Sequence, residues 1–205
     1  MNTRVAISLL LVSLGFILAF LPAANKPTLF VKPDKIVMEV LNERHIFSAD
    51  QVAKFVVTED SSVQLIDLRP SEDYKKFNIP GAVNIPYEEL IINPDMMENA
   101  LNRGYSHNIF YSNGDIESGY VFILAKGLGF DQVFVMKGGL NGWFNDVMNS
   151  RFNGERISAR ENALFENRSR AKKLFVEINS LPDSLKQNFM KSRQSEAKKL
   201  DGGCE

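Results

Sequence analysis

Between Val63 and Met148 the chain alternates short β-branched runs with helical ones, and that alternation leaves few architectures open. A strand-like run at 63–67 is bounded by Ser61-Ser62 and by Arg69-Pro70, whose proline cannot continue a ladder. Residues 72–77 then read as a helical turn or two, Pro80-Gly81 as a turn, 82–84 as a short strand, and 88–92 and 94–101 as helices. A strand is expected at 108–111, a helix at 119–126, a strand at 132–135 and a helix at 140–148. Ahead of them Ser48 offers an N-cap to a helix in which Val52, Phe55 and Val56 share one face. Strands joined through helices pair in parallel and are covered on both sides. The expected fold class is therefore α/β, a parallel sheet with helices on both faces.

Ligands of such sheets bind beyond the C-terminal ends of the strands. That rule points to Ser112, Asn113, Gly114, Asp115, Ile116, Glu117 and Ser118, the connection between the run at 108–111 and the apolar helix after it. Around it stand Leu65-Ile66-Asp67-Leu68-Arg69, then Asn78-Ile79-Pro80-Gly81-Ala82-Val83-Asn84-Ile85-Pro86, and downstream Gly138-Gly139-Leu140-Asn141-Gly142-Trp143. Together, over residues 46–148, these stretches resemble the rhodanese family of sulfurtransferase domains. The family's typical loop reads Cys-x-x-Gly-x-Arg-Ser, which sets Ser112 on the cysteine and Glu117 on the arginine. Asn78 stands where many relatives have histidine.

The resemblance implies chemistry that the loop residues do not supply. In the family a cysteine thiolate attacks a sulfur donor and carries the sulfur as a persulfide, while backbone N–H groups and cations hold the anion. A serine hydroxyl has no sulfur atom to extend. It also needs an adjacent base to become nucleophilic, and none is expected nearby, since His45 and His107 read as surface or strand-end residues. Asp115 and Glu117 reverse the sign of the loop: a carboxylate about 6 Å from a bound anion repels it by roughly 3 kcal/mol at an effective dielectric near 20. The related phosphatases that activate cyclin-dependent kinases use a loop one residue longer, with cysteine first and arginine last, so phosphatase chemistry is not implied. Asp67 and Arg69 are expected to brace the strand end and Trp143 to anchor the core. Gly138 and Gly139 either bring backbone close to the loop or permit the turn into the last helix, the turn being the expected role.

The termini carry different signals. An uncharged run starts at Val5 and ends at Leu21; extended through Ala24 it approaches the roughly 20 residues needed to cross a bilayer. It is expected to remain as a membrane anchor with the domain extracytoplasmic, periplasmic in a bacterium; the alternative is a cleaved signal and secretion. The expected organisation is an anchor or signal at 1–24, a stalk and lead-in helix at 25–45, the rhodanese-like domain at 46–148 and a basic helical extension at 149–205. Residues 1–150 hold 12 Lys and Arg against 17 Asp and Glu, whereas 151–205 hold 12 against 8. The near-neutral total gives no reason to expect nucleic acid. In the extension, Leu164, Phe165, Leu174, Phe175 and Ile178 recur at helical spacing, predicting an amphipathic helix from about 158 to 179 that packs on the domain or meets a protein partner.

Cys204 is the only cysteine, which excludes an internal disulfide, and with two histidines the chain implies no metal site and no cofactor. Three functions remain in view. The expected one is a membrane-tethered pseudoenzyme that binds through the loop; the others are a sulfurtransferase or sulfur carrier using Cys204, and a structural protein assembled through its C-terminal helix.

Overall fold

The computed structural model describes residues 3–19, 31–40, 42–101, 104–151, 158–182, 185, 186 and 188. In chain order the elements are α1 (Thr3–Ala19), α2 (Pro33–Val40), β1 (Ile46–Phe47), α3 (Ala49–Thr58), β2 (Val63–Asp67), α4 (Ser71–Lys76), β3 (Val83–Asn84), α5 (Tyr87–Ile92) and α6 (Pro94–Leu101). They continue as β4 (His107–Tyr111), α7 (Ile116–Gly127), β5 (Val133–Met136), α8 (Gly139–Trp143), a π-helical turn (Phe144–Met148) and α9 (Ala159–Asn179). The five strands form one parallel sheet in the order β1-β5-β4-β2-β3. Central β4 places Ile109, Phe110 and Tyr111 out of reach of solvent, as a strand covered on both faces requires.

Strand alternation divides the core. Leu65, Ile109 and Tyr111 face α3, α8 and α9, where Val52, Trp143 and Phe175 join them. Ile66, Phe110 and Val133 face the opposite layer, with Leu90, Met97, Val121 and Phe122 from α5, α6 and α7. Local chemistry starts the helices where sequence expected them to start: Ser48 and Gln51 form a capping box at α3, and Ser158 and Glu161 form another at α9. One boundary differs by more than a residue. Helix α7 begins at Ile116 rather than 119, so Ile116, Glu117 and Ser118 are its first turn and not part of the loop.

The C-terminal helix belongs to the same packed unit. Its buried residues are Ala171, Phe175 and Ile178, while Leu164, expected on the apolar stripe, is exposed. The Phe175 ring lies 5.7 Å from Phe144 and 6.3 Å from both Phe77 and Trp143. Two polar clamps fix the helix: Arg168 donates twice to the Asp50 carboxylate, at 2.6 and 2.7 Å, and Asn179 pairs with the backbone of Asn78.

At the other terminus α1 has 17 residues, and among the described residues no helix is long and apolar enough to cross a membrane. The expected span ran further, to Ala24, and that continuation lies outside the described residues. Lead-in helix α2 packs against α7, where the Val31 N–H donates to the Gly127 carbonyl at 3.2 Å and the carboxylate of Glu39 lies 3.9 Å from Lys126 Nζ.

Truncating Phe175 tests whether α9 shares the fold's stability. Phe175→Ala removes a ring shared by three aromatic neighbours and should cost about 3 kcal/mol or more, read as a lower denaturant midpoint in a single transition. An unchanged midpoint would show that α9 contributes nothing to the folded domain.

Candidate functional site

The site is built where β2 and β4 end side by side, Asp67 in register with Tyr111. One residue later Ser112 is 1% exposed, and the turn from Ser112 to Asp115 carries the chain into α7. The Ser112 hydroxyl donates to a carboxylate oxygen of Glu117. This corrects the expectation that no base stands near the serine. The correction follows from the boundary of α7: as its second residue, Glu117 points its side chain back over the turn. A carboxylate in a first turn is also favoured by the helix dipole, by about 0.3–1 kcal/mol.

Asp115 is employed internally as well. Its Oδ1 accepts the Gly138 N–H at 2.5 Å, tying the start of α7 to the connection between β5 and α8. The backbone completes that tie, with Leu140 N donating to Ser112 O at 2.8 Å and Asn141 N to Asn113 O at 3.1 Å. Gly139 has φ +52°, and a Cβ there would lie 2.4 Å from Ser112 O and 2.9 Å from Gly114 N. Close approach, the role set second in the sequence reading, therefore decides this glycine. The buried Ser118 hydroxyl donates back to the Asp115 and Gly114 carbonyls, at 3.2 and 3.4 Å, and Ile116 is exposed.

Beneath the loop lies a buried ion pair. Asp67 accepts from Arg69 Nη2 at 2.6 Å and from both Arg69 Nε and Arg69 N at 3.0 Å, and Arg69 Nη2 also donates to Phe77 O at 2.8 Å. The Tyr111 hydroxyl accepts from Ile79 N at 3.3 Å. Burial, and then the Asp67 carboxylate, hold the Tyr111 phenol well above its ordinary pKa. Trp143 is fully buried in the core.

Both histidines lie elsewhere. His107 starts β4, four residues before Tyr111 and thus about 13 Å from the loop end of the strand. Its ring packs 4.9 Å from Phe134, while His45 Nε2 meets Glu39 Oε2 at 2.5 Å. Both stand at strand ends as expected, half-buried against phenylalanine rings. Among the described residues no group of three or more His, Cys, Asp or Glu could hold a metal. Cys204 lies outside the described residues. Sequence reasoning passed over Asn78, whose backbone N–H donates to Asn179 Oδ1 at 3.0 Å and whose carbonyl accepts from Asn179 Nδ2 at 2.9 Å. No local signal could have shown a contact spanning 101 positions.

Two variants test this geometry. Asp67→Asn leaves the Arg69 cation buried without its partner and should lower stability by about 3 kcal/mol or more. Alkaline pH tests Tyr111. The unfolded chain releases its phenol proton near pH 10 while the folded chain keeps it, so this contribution to stability is complete below about pH 10 and falls as pH rises further. Tyr111→Phe should flatten that limb of the stability curve by up to about 1.4 kcal/mol per pH unit; an identical slope would remove the buried phenol from the account.

Known proteins align with this same region. The sequence profile of the Rhodanese-like domain matches residues 48–146. A curated relative, "Adenylyltransferase and sulfurtransferase UBA4" of Debaryomyces hansenii, is 28% identical over 87 residues, which are 40% of this chain and 19% of that protein. A rhodanese-like domain protein from Staphylococcus aureus is similar at 24% identity and TM-score 0.41, over 48% of this chain and 89% of that one. A single-domain sulfurtransferase of Saccharomyces cerevisiae, RDL2, is similar at 20% identity and TM-score 0.39, over 49% and 88%. Residues 48–146 of this chain are a rhodanese-like domain.

Proposed function

We propose that this rhodanese-like domain does not transfer sulfur and works as a binding module, tethered to a membrane by its apolar N-terminal segment. The observation that carries the first part is the hydrogen bond from Ser112 to Glu117. Transfer requires an atom that accepts a sulfane sulfur from a donor, holds it as S–S, and yields it to a nucleophile. The oxygen of Ser112 has no such state. Glu117 is a base by position, yet a carboxylate is too weak a base to take a hydroxyl proton readily, and Ser112 is buried.

The anion cradle is closed by the same contact. Asp115 and Glu117 lie at the positive end of α7, each holding an internal donor. An incoming oxyanion would meet two carboxylates where the family offers cations. Membrane tethering is supported by α1, whose Leu9, Leu10, Leu11, Val12 and Phe16 are all exposed, so the helix is apolar around its circumference.

One contact favours a second reading, sulfur carriage by Cys204. Lys186 Nζ donates to Lys75 O at 3.2 Å, so the chain beyond α9 sets out beside α4, at the end of the sheet that carries Ser112. Persulfide trapping on the full-length protein and on Cys204→Ser separates the readings. No sulfur transfer is expected in either, and transfer lost with Cys204 would establish the carrier.

Reintroducing the chemistry is the direct test. Ser112→Cys alone should remain almost inactive, because Glu117 raises the pKa of the new thiol by repelling its thiolate. Ser112→Cys with Glu117→Arg should form a persulfide from thiosulfate. Equal activity in the two variants would show that Glu117 does not close the loop.

A further inference from the structure

Beside the closed loop, the outer face of α7 is uncharged. Ile116, Tyr120 and Ile123 are 73%, 57% and 39% exposed and stand at i, i+4 and i+7. Gly119 lies among them, and a Cβ added there would meet nothing within 4 Å, so bare backbone forms a notch between the three side chains. Helix α5 packs against α7 and adds Ile91 and Ile92, both exposed. Solvated helical faces in this protein look different: the exposed positions of α9 include Arg160, Glu161, Glu166, Arg170, Lys172, Lys173 and Glu177.

The charge around this face selects its occupant. The elements that meet there are acidic on balance: α5 carries Glu88 and Glu89, Asp115 and Glu117 open α7, and α2, which also packs on α7, carries Asp34 and Glu39, against Lys35 and the buried Lys126. Glu88 lies three and four residues before Ile91 and Ile92 and so shares their side of α5. An acidic border of this kind disfavours an anionic bilayer and favours a cation-bearing protein surface. The stripe from Ile116 to Ile123 is two turns, about 10 Å, the length over which one amphipathic helix reads another.

We propose that the outer stripe of α7, extended by Ile91 and Ile92, is a docking surface for a basic amphipathic protein helix. This deepens the binding-module reading by moving the binding surface from the closed loop to the helix that follows it.

The test uses the full-length protein and two synthetic probes, an amphipathic Leu/Lys helix and its Leu/Glu counterpart, with binding read by anisotropy of the labelled peptide. The Leu/Lys peptide should bind saturably and the Leu/Glu peptide should not. Tyr120→Glu with Ile123→Glu should weaken binding about tenfold or more through lost apolar contact. That direction is diagnostic, because the added negative charge would strengthen a purely electrostatic attraction. Val176→Glu, on the exposed face of α9, should leave binding unchanged, and Glu88→Gln with Glu89→Gln should weaken it and reduce its salt dependence. Binding that survives Tyr120→Glu with Ile123→Glu overturns the proposal. So does a dimer in sedimentation, or attachment to phosphatidylcholine vesicles, that this double substitution abolishes, since either assigns the stripe to another occupant. Sulfur transfer assayed on the same preparation distinguishes the two readings: its appearance refutes the inactive loop without touching the stripe, and failed peptide binding does the reverse.

Discussion

A charged pair with almost no water around it governs the geometry at the end of β2. Moving two such ions out of water costs several kcal/mol each unless every lone pair and proton is used. Asp67 and Arg69 offset much of that cost on one another: the carboxylate takes donors from both the backbone and the side chain of Arg69, and the guanidinium reaches on to Phe77 O. The guanidinium carbon also lies 5.0 Å from the centre of the Phe77 ring. Position 77 is thereby fixed, and with it Asn78, whose backbone Asn179 reads like a neighbouring strand. A charge pair on the second strand thus sets the seat of the last helix.

The loop above that pair is held by its own acids. In an anion-binding turn the positive pole of the following helix is left open for a ligand. Here Glu117 takes the Ser112 hydroxyl and Asp115 takes the Gly138 N–H, so both carboxylates at the start of α7 act as tethered anions. Glutamate at position 117 does more than withhold a binding charge. It supplies an internal occupant whose effective concentration no free anion matches.

Much of this was legible in the sequence because it depends on local order. The alternation of strands and helices, the Ser48 N-cap and the buried Trp143 follow from neighbours a few residues apart. What escaped was long-range or hinged on a boundary. Starting α7 at Ile116 rather than 119 turns Glu117 from a loop charge facing a ligand into the partner of Ser112. The Gly138-Gly139 pair permits a turn in any chain, and only the position of Ser112 O, 2.4 Å from a would-be Cβ, shows why position 139 has no side chain. The strand-end positions of His45 and His107 were legible too, but their phenylalanine neighbours were not, because these come from different strands and helices.

Helix α7 joins these themes. Its buried side, Val121, Phe122 and Ala125, fills the core under β4. Its N-terminal pole is neutralised from within, and its outer side carries Ile116, Tyr120 and Ile123 without a charge among them. With the loop inactive, as we propose, the pole has no ligand to serve, and three exposed apolar residues gain the helix nothing unless they meet something, because each costs solubility and invites non-specific association. The tethered loop holds the first turn of α7 in place, so that in the docking we propose Ile116 stands beside Tyr120 in a stripe ordered before a partner arrives.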